Sequence, residues 1–492
     1  MYSSVVDAVL RHAETMPEKI CLVDDAGAVT YREYAEKIRR FASAFAALGI
    51  QPGDRVLAEA SQRIDFLAAE LALHLIGAIF VPVEHRSAPP KIRGFAASSG
   101  ARMVMPLKED AYDAPVCMTL DAFVAEAEKQ APLAGYSYPS GETVNSILYS
   151  TGTTGAEKGI TITHGNDVAL CENVICGVEM QEDNVEFILS PFNHSHGLRR
   201  YYANMYRGAS VLMMENIMNL KRFFAYMQTY QVNSMDLVPS ALAVILKLSG
   251  DRLGEYRDQL RYVQLGGAPM IRDSKEKLKS LLPHTHLYNI YGSTESGISC
   301  IYDFNRPDEK ENCIGRPAVN ADHFIVDEEW NPIESSKDNP GFLACRGPIN
   351  MVGYWQDPEE TARVLRNGVV YTNDMAYFDE DGDIILLGRK GDVINVGGKK
   401  VSPLEIEKAA GTIPEIADCG CVPVEHPGKG SVPKLFVQMK PGAGFDPSAI
   451  RARLSELLEP FKVPDLDLIV QIDKIPRTYK GSLQRAKLRE LN

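Results

Sequence analysis

The sequence has 492 residues, of which 45% are hydrophobic and 24% are charged, a composition typical of folded globular proteins. This length exceeds what one hydrophobic core supports and predicts roughly two to four domains. The formal net charge of −13 excludes a nucleic-acid-binding surface, which needs a dense basic footprint, but it is compatible with a bound nucleotide.

Helical and strand patterns alternate along the first part of the chain. Apolar residues at helical spacing predict helices at residues 5–12, 35–48 and 64–76. Strands are predicted at residues 20–23, 30–31, 55–59 and 79–83. The alternation recurs from residue 103 to about residue 287 and predicts an α/β fold, with packed sheets covered by helices on both faces.

The pattern changes after about residue 320. Strands at residues 324–326, 342–346 and 384–387 alternate around turn signals and predict a β-rich subdomain. A boundary after residue 388 divides the chain into a large N-terminal domain, residues 1–388, and a small α+β C-terminal domain, residues 389–492.

The location of the protein is also suggested by its sequence. The first residues carry neither a long apolar stretch nor a cleavage-site pattern, so we expect no signal peptide. The nine cysteines are scattered without a CxxC pair, which indicates a reducing cytoplasm and predicts that all nine are buried. The most apolar stretch, residues 66–83, is interrupted by Glu70 and His74 and predicts a buried helix and strand rather than a membrane span.

Glycines and hydroxyls are concentrated in one stretch between two apolar strands. Its members are Ser150, Thr151, Gly152, Thr153, Thr154, Gly155 and Lys158. Glycines let backbone N–H groups approach an anion, hydroxyls add donors, and the lysine adds a positive charge. The spacing is not GxxxxGK[ST] and no helix follows directly, so we predict a nucleotide-phosphate loop outside the P-loop class. A polar hairpin turn is the alternative.

Two further polar clusters follow predicted strands. The first contains Tyr291, Gly292, Thr294 and Glu295, and near a triphosphate its carboxylate and hydroxyl can hold Mg²⁺. The second contains Asp374 and Arg389, in which a carboxylate supported by an arginine suits a ribose diol. Taken alone, each cluster is also typical of an ordinary surface loop.

In this order and spacing, the three clusters resemble the adenylate-forming superfamily of acyl-CoA synthetases, aryl-CoA ligases, luciferases and adenylation domains. The resemblance covers nearly the whole chain. It implies an AMP-forming acid–thiol ligase, which converts a carboxylic acid and ATP into an acyl-adenylate and pyrophosphate. The acyl group then passes to the thiol of coenzyme A or of a carrier-protein phosphopantetheine. It also implies that the small C-terminal domain is mobile and rotates between the two half-reactions.

The resemblance assigns the nucleotide-binding residues one by one. Ser150, Thr151, Thr153, Thr154 and Lys158 would embrace the β- and γ-phosphates, with Gly152 and Gly155 in the same loop. Thr294 would contact the α-phosphate, and Glu295 would bind Mg²⁺. The adenine would pack on Tyr291, with Gly292, Gly267, Ala268 and Pro269 beside it, while Asp374 and Arg389 would hold the ribose hydroxyls.

The acyl and thiol sites are implied in the same way. Residues 191–197 match the loop that gates the acyl site, with His194 at the key position. The loop contains no acidic residue to hold an α-ammonium group, so a fatty, aryl or other simple carboxylic acid is expected. Gly398 would leave room for the pantetheine, and Gly391 occupies the position of the domain pivot.

Ser482 is the main departure from the pattern of the superfamily. It occupies the position of a lysine that bridges the substrate carboxylate and the α-phosphate. The loss of one such donor costs on the order of 10²–10³ in rate. Lys480 substitutes for the missing lysine, or adenylation is slow, or the enzyme only transfers acyl groups from a supplied acyl-adenylate. A non-catalytic nucleotide or acyl-adenylate sensor is the alternative of another class, and nothing specifically supports luciferase-type oxidation.

Several basic residues remain outside these motifs. Arg199 and Arg200, just beyond the gating loop, are interpreted as surface residues or as ligands of a pantetheine phosphate, with a second substrate carboxylate as the alternative. Candidates for binding the 3′-phosphate of coenzyme A or an acidic carrier protein are Lys399, Lys400, Lys462 and Lys480.

Overall fold

A computed structural model of the chain describes residues 2–84, 87–108, 112–151, 157–266, 272–397, 399–478 and 481–491. The elements up to residue 151 are α1 (Val5–Thr15), β1 (Ile20–Val23), β2 (Ala28–Thr30), α2 (Tyr31–Ala47), β3 (Arg55–Glu59), α3 (Ile64–Leu75), β4 (Ile79–Val83), α4 (Pro89–Ser99), β5 (Met103–Met105), β6 (Val116–Cys117), α5 (Leu120–Ala127) and β7 (Val144–Thr151). The next elements are β8 (Glu157–Thr163), α6 (His164–Gly177), β9 (Val185–Ile188), α7 (Ser195–Arg207), β10 (Ser210–Leu212), α8 (Leu220–Thr229), β11 (Ser234–Leu237), α9 (Pro239–Ser249), β12 (Tyr262–Leu265), α10 (Arg272–Leu281), β13 (His286–Ser293) and β14 (Gly297–Asp303).

Shorter helices and more strands follow. They are β15 (Cys313–Gly315), β16 (Asp322–Val326), β17 (Gly341–Arg346), β18 (Gly353–Tyr354), α11 (Pro358–Val364), β19 (Leu365–Arg366), β20 (Val369–Phe378) and β21 (Ile384–Arg389). The last elements are β22 (Ile394–Val396), β23 (Lys399–Val401), α12 (Pro403–Ala410), β24 (Ile416–His426), β25 (Gly430–Met439), α13 (Pro447–Leu457), β26 (Ile469–Gln471) and α14 (Arg485–Arg489). Two short 3₁₀ helices lie at Arg252–Tyr256 and Leu466–Leu468.

Two mainly parallel sheets form the body of the molecule. Within the described ranges, one has the strand order β14-β13-β12-β11-β9-β10-β1-β2 and the other β18-β8-β7-β4-β3-β5-β6. A hydrophobic cluster containing α1, α2, α3, α6 and α7 joins the two sheets. The outer faces are covered by α8, α9 and α10 on one sheet and by α4 on the other. The predicted α/β fold with sheets covered on both faces is therefore confirmed.

Two smaller sheets complete the described part of the chain. One sheet has the order β15-β21-β20-β17-β16, and β19 pairs with β20 beside it. This sheet corresponds to the predicted β-rich subdomain. The sheet with the order β23-β22-β25-β24, with β26 on β25, has a hydrophobic core drawn from residues 394–469, in which α12 and α13 take part. The boundary at residues 388 and 389 stays a prediction.

The junction between these sheets has fixed contacts on both sides of Gly391. The N–H of Lys390 donates to the carbonyl of Asn373 at 2.6 Å. Arg489 donates to the carbonyl of Gly391 at 2.6 Å and forms an ion pair with Asp392. Gly391 has a φ of +83°, which glycine adopts without strain.

Most predicted elements are confirmed, and the differences have local causes. The predicted strand at residues 30–31 is wrong at Tyr31, because Thr30 caps α2 and exchanges hydrogen bonds with Glu33 in a capping box. The prediction of nine buried cysteines is wrong for Cys117 and Cys176, which are exposed. Within the described ranges, no helix combines the length and the apolar character needed to cross a bilayer.

Candidate active site

The carboxyl ends of four neighbouring parallel strands meet at one edge of the first sheet. The strands β9, β11, β12 and β13 lie side by side there, and open α/β sheets bind ligands at this kind of edge. Gly266 follows β12, and a Cβ atom at this position would lie 2.5 Å from Ile290 Cγ1 and 2.6 Å from His196 Cε1. Glycine therefore lets the start of α7 approach this edge.

Thr294 and Glu295 lie in the tight turn between β13 and β14. A Cβ atom at Gly292 would lie 1.8 Å from the carbonyl oxygen of Gly297, so only glycine fits between these two strands. Gly297 itself has a φ of +67°. Gly292 is thus required by the backbone packing that shapes the turn, whichever ligand the turn binds.

Tyr354, a residue that sequence reasoning missed, connects Glu295 to the predicted phosphate loop. Its phenol donates a hydrogen bond to Glu295 Oε1 at 3.0 Å. Its backbone belongs to β18, which pairs with β8 opposite Ile160, immediately after the loop. Burial, and then the negative charge of Glu295, raise the pKa of Tyr354, so the phenol remains a donor. No local sequence pattern signals a contact across 59 residues.

Lys158 lies on the same hairpin but is already paired. Its ammonium forms an ion pair with Glu360 at the start of α11 and lies 5.3 Å from the ring centroid of Tyr354. The hydrogen bond from Lys158 lowers the pKa of Glu360, so this carboxylate is charged. A phosphate that bound Lys158 would have to compete with Glu360.

The second and third polar clusters meet although they come from different sheets. The Tyr291 hydroxyl donates to Asp374 Oδ2 at 2.6 Å. Arg389 Nε lies 3.4 Å from Asp374 Oδ1, because the two residues are paired across β20 and β21. Burial, followed by the charge of Asp374, raises the pKa of Tyr291. The structure therefore brings together the residues assigned to the adenine and to the ribose.

The predicted gating loop leads directly into α7. His194 is the N-cap residue of this helix, and its Nε2 lies 3.0 Å from the side-chain amide nitrogen of Asn193. A Cβ atom at Gly197 would lie 2.5 Å from the carbonyl oxygen of Pro191, so the turn into the helix is tight. His194 therefore lies at the carboxyl edge, between the ends of β9 and the start of α7.

His196 is held by a buried carboxylate. Its Nε2 lies 2.7 Å from Asp236 Oδ1, and Gln264 donates to the same oxygen at 3.1 Å. Burial alone would raise the pKa of Asp236, but the charge and hydrogen bond of His196, followed by the charge of Arg200, hold it below its usual value. The carboxylate is thus ionised and accepts a hydrogen bond from the Nε2–H of His196.

The prediction that Arg199 and Arg200 are surface residues is wrong. Arg200 is completely buried, where it bonds both carboxylate oxygens of Glu186 and the side-chain oxygen of Gln264. Arg199 is 4% exposed and donates to the carbonyl oxygens of Ser293 and Thr294. Neither guanidinium is available to a pantetheine phosphate on the surface.

Near the C-terminus, Arg477 anchors the turn that precedes Ser482. Its guanidinium forms two 2.7 Å hydrogen bonds with Asp418 and a third, at 2.9 Å, with the carbonyl of Gly481. The N–H of Thr478 donates to the carbonyl of Ser482 at 2.8 Å. The backbone at position 482 is therefore held in a defined turn.

The basic residues proposed for the acceptor differ in exposure. Lys399 and Lys400 are exposed. Lys462 is buried and forms ion pairs with Glu405 at 2.6 Å and Glu459 at 2.7 Å, so its assignment as a phosphate or carrier ligand is wrong.

Several predicted site residues lie outside the described residues. They are Gly152, Thr153, Thr154, Gly155, Gly267, Ala268, Pro269, Gly398 and Lys480. Ser150 and Thr151 end β7, opposite Lys158 and Glu157 in β8, and the side chain of Thr151 is also outside the description.

The chain is similar to known proteins over almost its whole length. The family of AMP-binding enzymes matches residues 9–355, and the AMP-binding enzyme C-terminal domain matches residues 405–482. A 2-succinylbenzoate–CoA ligase of Geobacillus kaustophilus is 29% identical over 485 residues, which cover 96% of this chain and 95% of that one. A 4-coumarate–CoA ligase of Oryza sativa is 26% identical and covers 98% of this chain and 93% of its own.

The fold is similar to that of solved structures in the same superfamily. The ATP-bound crystal structure of MatB from Rhodopseudomonas palustris matches with a TM-score of 0.87 at 24% identity, covering 98% of both chains. The family match at residues 9–355 spans more than half of the sequence. The chain therefore belongs to the AMP-binding enzyme family of the adenylate-forming superfamily, and its prediction as an AMP-forming acid–thiol ligase is confirmed at the level of enzyme class.

Proposed function

We propose that the protein activates a small carboxylic acid with ATP and transfers the acyl group to coenzyme A. In the first step a carboxylate oxygen bonds to the α-phosphorus and pyrophosphate leaves. In the second step the thiolate sulfur bonds to the acyl carbon and AMP leaves. The observation that carries this proposal is Tyr354, which connects the phosphate-loop hairpin to Glu295 at the carboxyl edge of the sheet. The CoA-ligase names of the relatives support the choice of thiol.

The proposed nucleotide site follows from the donors along this edge. Ser150, Thr151 and the loop that follows them would bind the β- and γ-phosphates, and Thr294 the α-phosphate. Asp374, supported by Arg389 at 3.4 Å, would accept the ribose hydroxyls. Donors fixed around a triphosphate stabilise the charge that develops in the transition state, so no side-chain nucleophile is required.

Glu295 has the chemistry of a Mg²⁺ ligand. Its Oε1 accepts the phenol of Tyr354, whereas its Oε2 accepts no hydrogen bond from any residue that the structure describes. Carboxylate and hydroxyl oxygens are hard ligands that suit Mg²⁺, so Glu295 and Thr294 fit this ion together with phosphate oxygens. When bound, Mg²⁺ would neutralise phosphate charge.

The position of His196 favours a carboxylic acid substrate that carries a second polar group. Asp236 holds Nε2, while Nδ1 bonds to none of the described residues and the side chain is 15% exposed. His196 directly follows Ser195, whose hydroxyl lies 3.3 Å from that of Thr294, close to the proposed α-phosphate site. We infer that the substrate places a hydrogen-bonding group, such as a carbonyl or a second carboxylate, near His196.

Ser482 supports a second candidate, in which adenylation is weak and acyl transfer dominates. A serine hydroxyl supplies no positive charge between a carboxylate and an α-phosphate. Lys480 is two residues away in sequence and lies outside the described residues. This candidate predicts thioester formation from a supplied acyl-adenylate that exceeds the rate of the complete reaction.

Two assays on the purified chain separate these candidates. The first measures pyrophosphate release from Mg·ATP over a panel of aryl, fatty and dicarboxylic acids, and the second measures thioester formation from synthetic acyl-adenylates with coenzyme A or a carrier protein. The main proposal expects both activities with coenzyme A. Thioester formation without pyrophosphate release would establish the transferase, and ATP binding without either activity would establish a sensor.

A further inference from the structure

Arg199 is a buried cation whose hydrogen bonds all go to one turn. Its side chain projects from the second turn of α7 and is 4% exposed. Nη1 donates to the carbonyl oxygen of Ser293 at 2.9 Å, and Nη2 donates to that of Thr294 at 3.0 Å. The two carbonyls belong to consecutive residues, directly before Glu295.

The electrostatic setting of Arg199 differs from that of its neighbour Arg200. Arg200 forms a direct ion pair with Glu186, which compensates for its burial. Within the described ranges, Arg199 has no carboxylate within ion-pair distance, and Asp167 and Glu295 act on it only through longer-range attraction. Burial therefore lowers the pKa of Arg199 despite both acids. An unpaired buried charge is destabilising, so a merely structural donor would be better served by a neutral side chain.

The same face of α7 touches the turn at a second point. The hydroxyls of Ser195 and Thr294 lie 3.3 Å apart, and Ser195 and Arg199 are four residues apart on the helix, so they lie on one face. The guanidinium is a planar fork, which fixes two acceptors at once. Its two bonds therefore set the orientation of two successive peptides, Ser293–Thr294 and Thr294–Glu295, and with them the direction of the Thr294 and Glu295 side chains.

We propose that Arg199 is a positioning residue that couples the acyl-site helix to the turn that handles Mg·ATP. The inference rests on the proposed function, because it assigns Thr294 and Glu295 to the α-phosphate and Mg²⁺. Arg199 holds the backbone that leads into Thr294 and Glu295 through the carbonyls of Ser293 and Thr294. Since α7 begins at the gating loop, a change in that loop on acid binding reaches Thr294 through Ser195 and Arg199.

The test compares Arg199→Lys and Arg199→Met with the wild type. Lysine keeps the charge but cannot bond two carbonyls in a fixed geometry, and methionine removes both features. We expect the kcat of pyrophosphate release to fall about 10- to 100-fold in Arg199→Met and by a smaller factor in Arg199→Lys. The KM for the acid is expected to change less than about threefold in both variants. The Mg²⁺ concentration that gives half-maximal rate is expected to rise in both variants.

A binding measurement gives a readout that does not depend on turnover. The rise in melting temperature on adding ATP is measured with Mg²⁺ and with EDTA, and the difference reports the Mg²⁺-dependent part of binding. This difference is expected to shrink in both Arg199 variants. Arg207→Met is the matched control, because Arg207 lies on the same helix and donates to the carbonyl of Met180 at 3.1 Å, away from the turn.

Two outcomes would separate the failure of this inference from the failure of the proposed function. Wild-type kcat and Mg²⁺ dependence in folded Arg199→Lys would show that the fork has no positioning role, with the ligase activity intact. If the wild type released no pyrophosphate, the proposed function would fail. In that case an unchanged Mg²⁺-dependent melting shift in Arg199→Lys would overturn the inference on its own.

Discussion

The phenol of Tyr354 donates a hydrogen bond to Glu295 Oε1 at 3.0 Å, and so joins two parts of the chain that the sequence keeps 59 residues apart. Tyr354 lies on the strand next to β8, whereas Glu295 follows β13, which pairs with the edge strand β14 in another sheet. The candidate Mg²⁺ ligand is thus oriented by β18, the strand that pairs with the hairpin of the proposed phosphate loop.

Replacing Tyr354 by phenylalanine tests this orientation. Tyr354→Phe keeps the ring beside Lys158 but frees Glu295 Oε1 to rotate, and the loss of such an outer contact typically costs 10- to 100-fold in metal affinity or activity. We expect about a tenfold rise in the Mg²⁺ concentration for half-maximal pyrophosphate release. Unchanged Mg²⁺ dependence in a folded Tyr354→Phe protein would show that Glu295 is oriented by other contacts.

Glu360 is expected to compete with ATP for Lys158. Glu360→Gln removes the carboxylate that now holds the ammonium, so the Kd for ATP should fall about threefold, whereas Lys158→Met should raise it about tenfold. In the Lys158→Met background, Glu360→Gln should no longer change the Kd for ATP. Calorimetric titration of ATP into the wild type, both single variants and the double variant measures this coupling as a double-mutant cycle. The exposed neighbour Glu359 supplies the control Glu359→Gln, and an equal effect there would indicate general electrostatics rather than competition.

Restoring a lysine at position 482 is expected to accelerate adenylation. The backbone there is already held by the turn that Arg477 anchors, so Ser482→Lys should raise the rate of pyrophosphate release by on the order of 10²-fold if no other lysine acts. Lys480→Ala in the wild type measures the substitution by Lys480 directly. A drop with Lys480→Ala and no gain with Ser482→Lys would mean that Lys480 already performs this role.

His323 makes the stability of the β-rich sheet sensitive to acid. Burial lowers its pKa to about 4, while its Nδ1 lies 3.0 Å from the carbonyl oxygen of Ala344. Between about pH 6.5 and pH 4 the unfolded chain binds a proton that the folded protein rejects, so stability is lost as the pH falls. The contribution is about 3 kcal/mol over the full window.

The measurement is urea denaturation at pH 7.5 and pH 4.5 for the wild type and His323→Gln. The variant should lose less free energy of unfolding between the two pH values than the wild type does. His284→Gln, at an exposed histidine, should retain the wild-type difference. Equal losses in His323→Gln and the wild type would mean that His323 is protonated in the folded state.

Local pattern predicted much of the fold, because each parallel strand or amphipathic helix shows its own periodicity. The strands β3 and β4 and the start of α3 agree with the sequence prediction to the residue. The sequence could not reveal the buried positions of Arg199 and Lys462. Charged side chains are almost never fully buried unless paired, and each of these two has a partner in a distant segment: the carbonyls of residues 293 and 294 for Arg199, and Glu405 for Lys462.

In the candidate site, too, the sequence predicted the motifs but not the contacts between them. The order and spacing of the motifs that contain Thr294, Glu295 and Asp374 are what predicted a nucleotide site. The bond between Tyr291 and Asp374 joins two sheets, and its existence depends on how those sheets pack, which no spacing within either motif expresses. Sequence analysis missed Tyr354 for the same reason, because its contact with Glu295 spans 59 residues.

The contacts around Gly391 hold the chain on both sides of the junction. The N–H of Lys390 donates to Asn373 on one side, and the carbonyl of Gly391 accepts from Arg489 on the other. Two further hydrogen bonds, from the N–H groups of Asp392 and Val393 to the carbonyl of Arg389, span the same two residues, so turning the backbone at Lys390 or Gly391 breaks them. Any rotation of the residues beyond 391 must therefore begin with the loss of these bonds, and their free energy is a threshold between this conformation and any other.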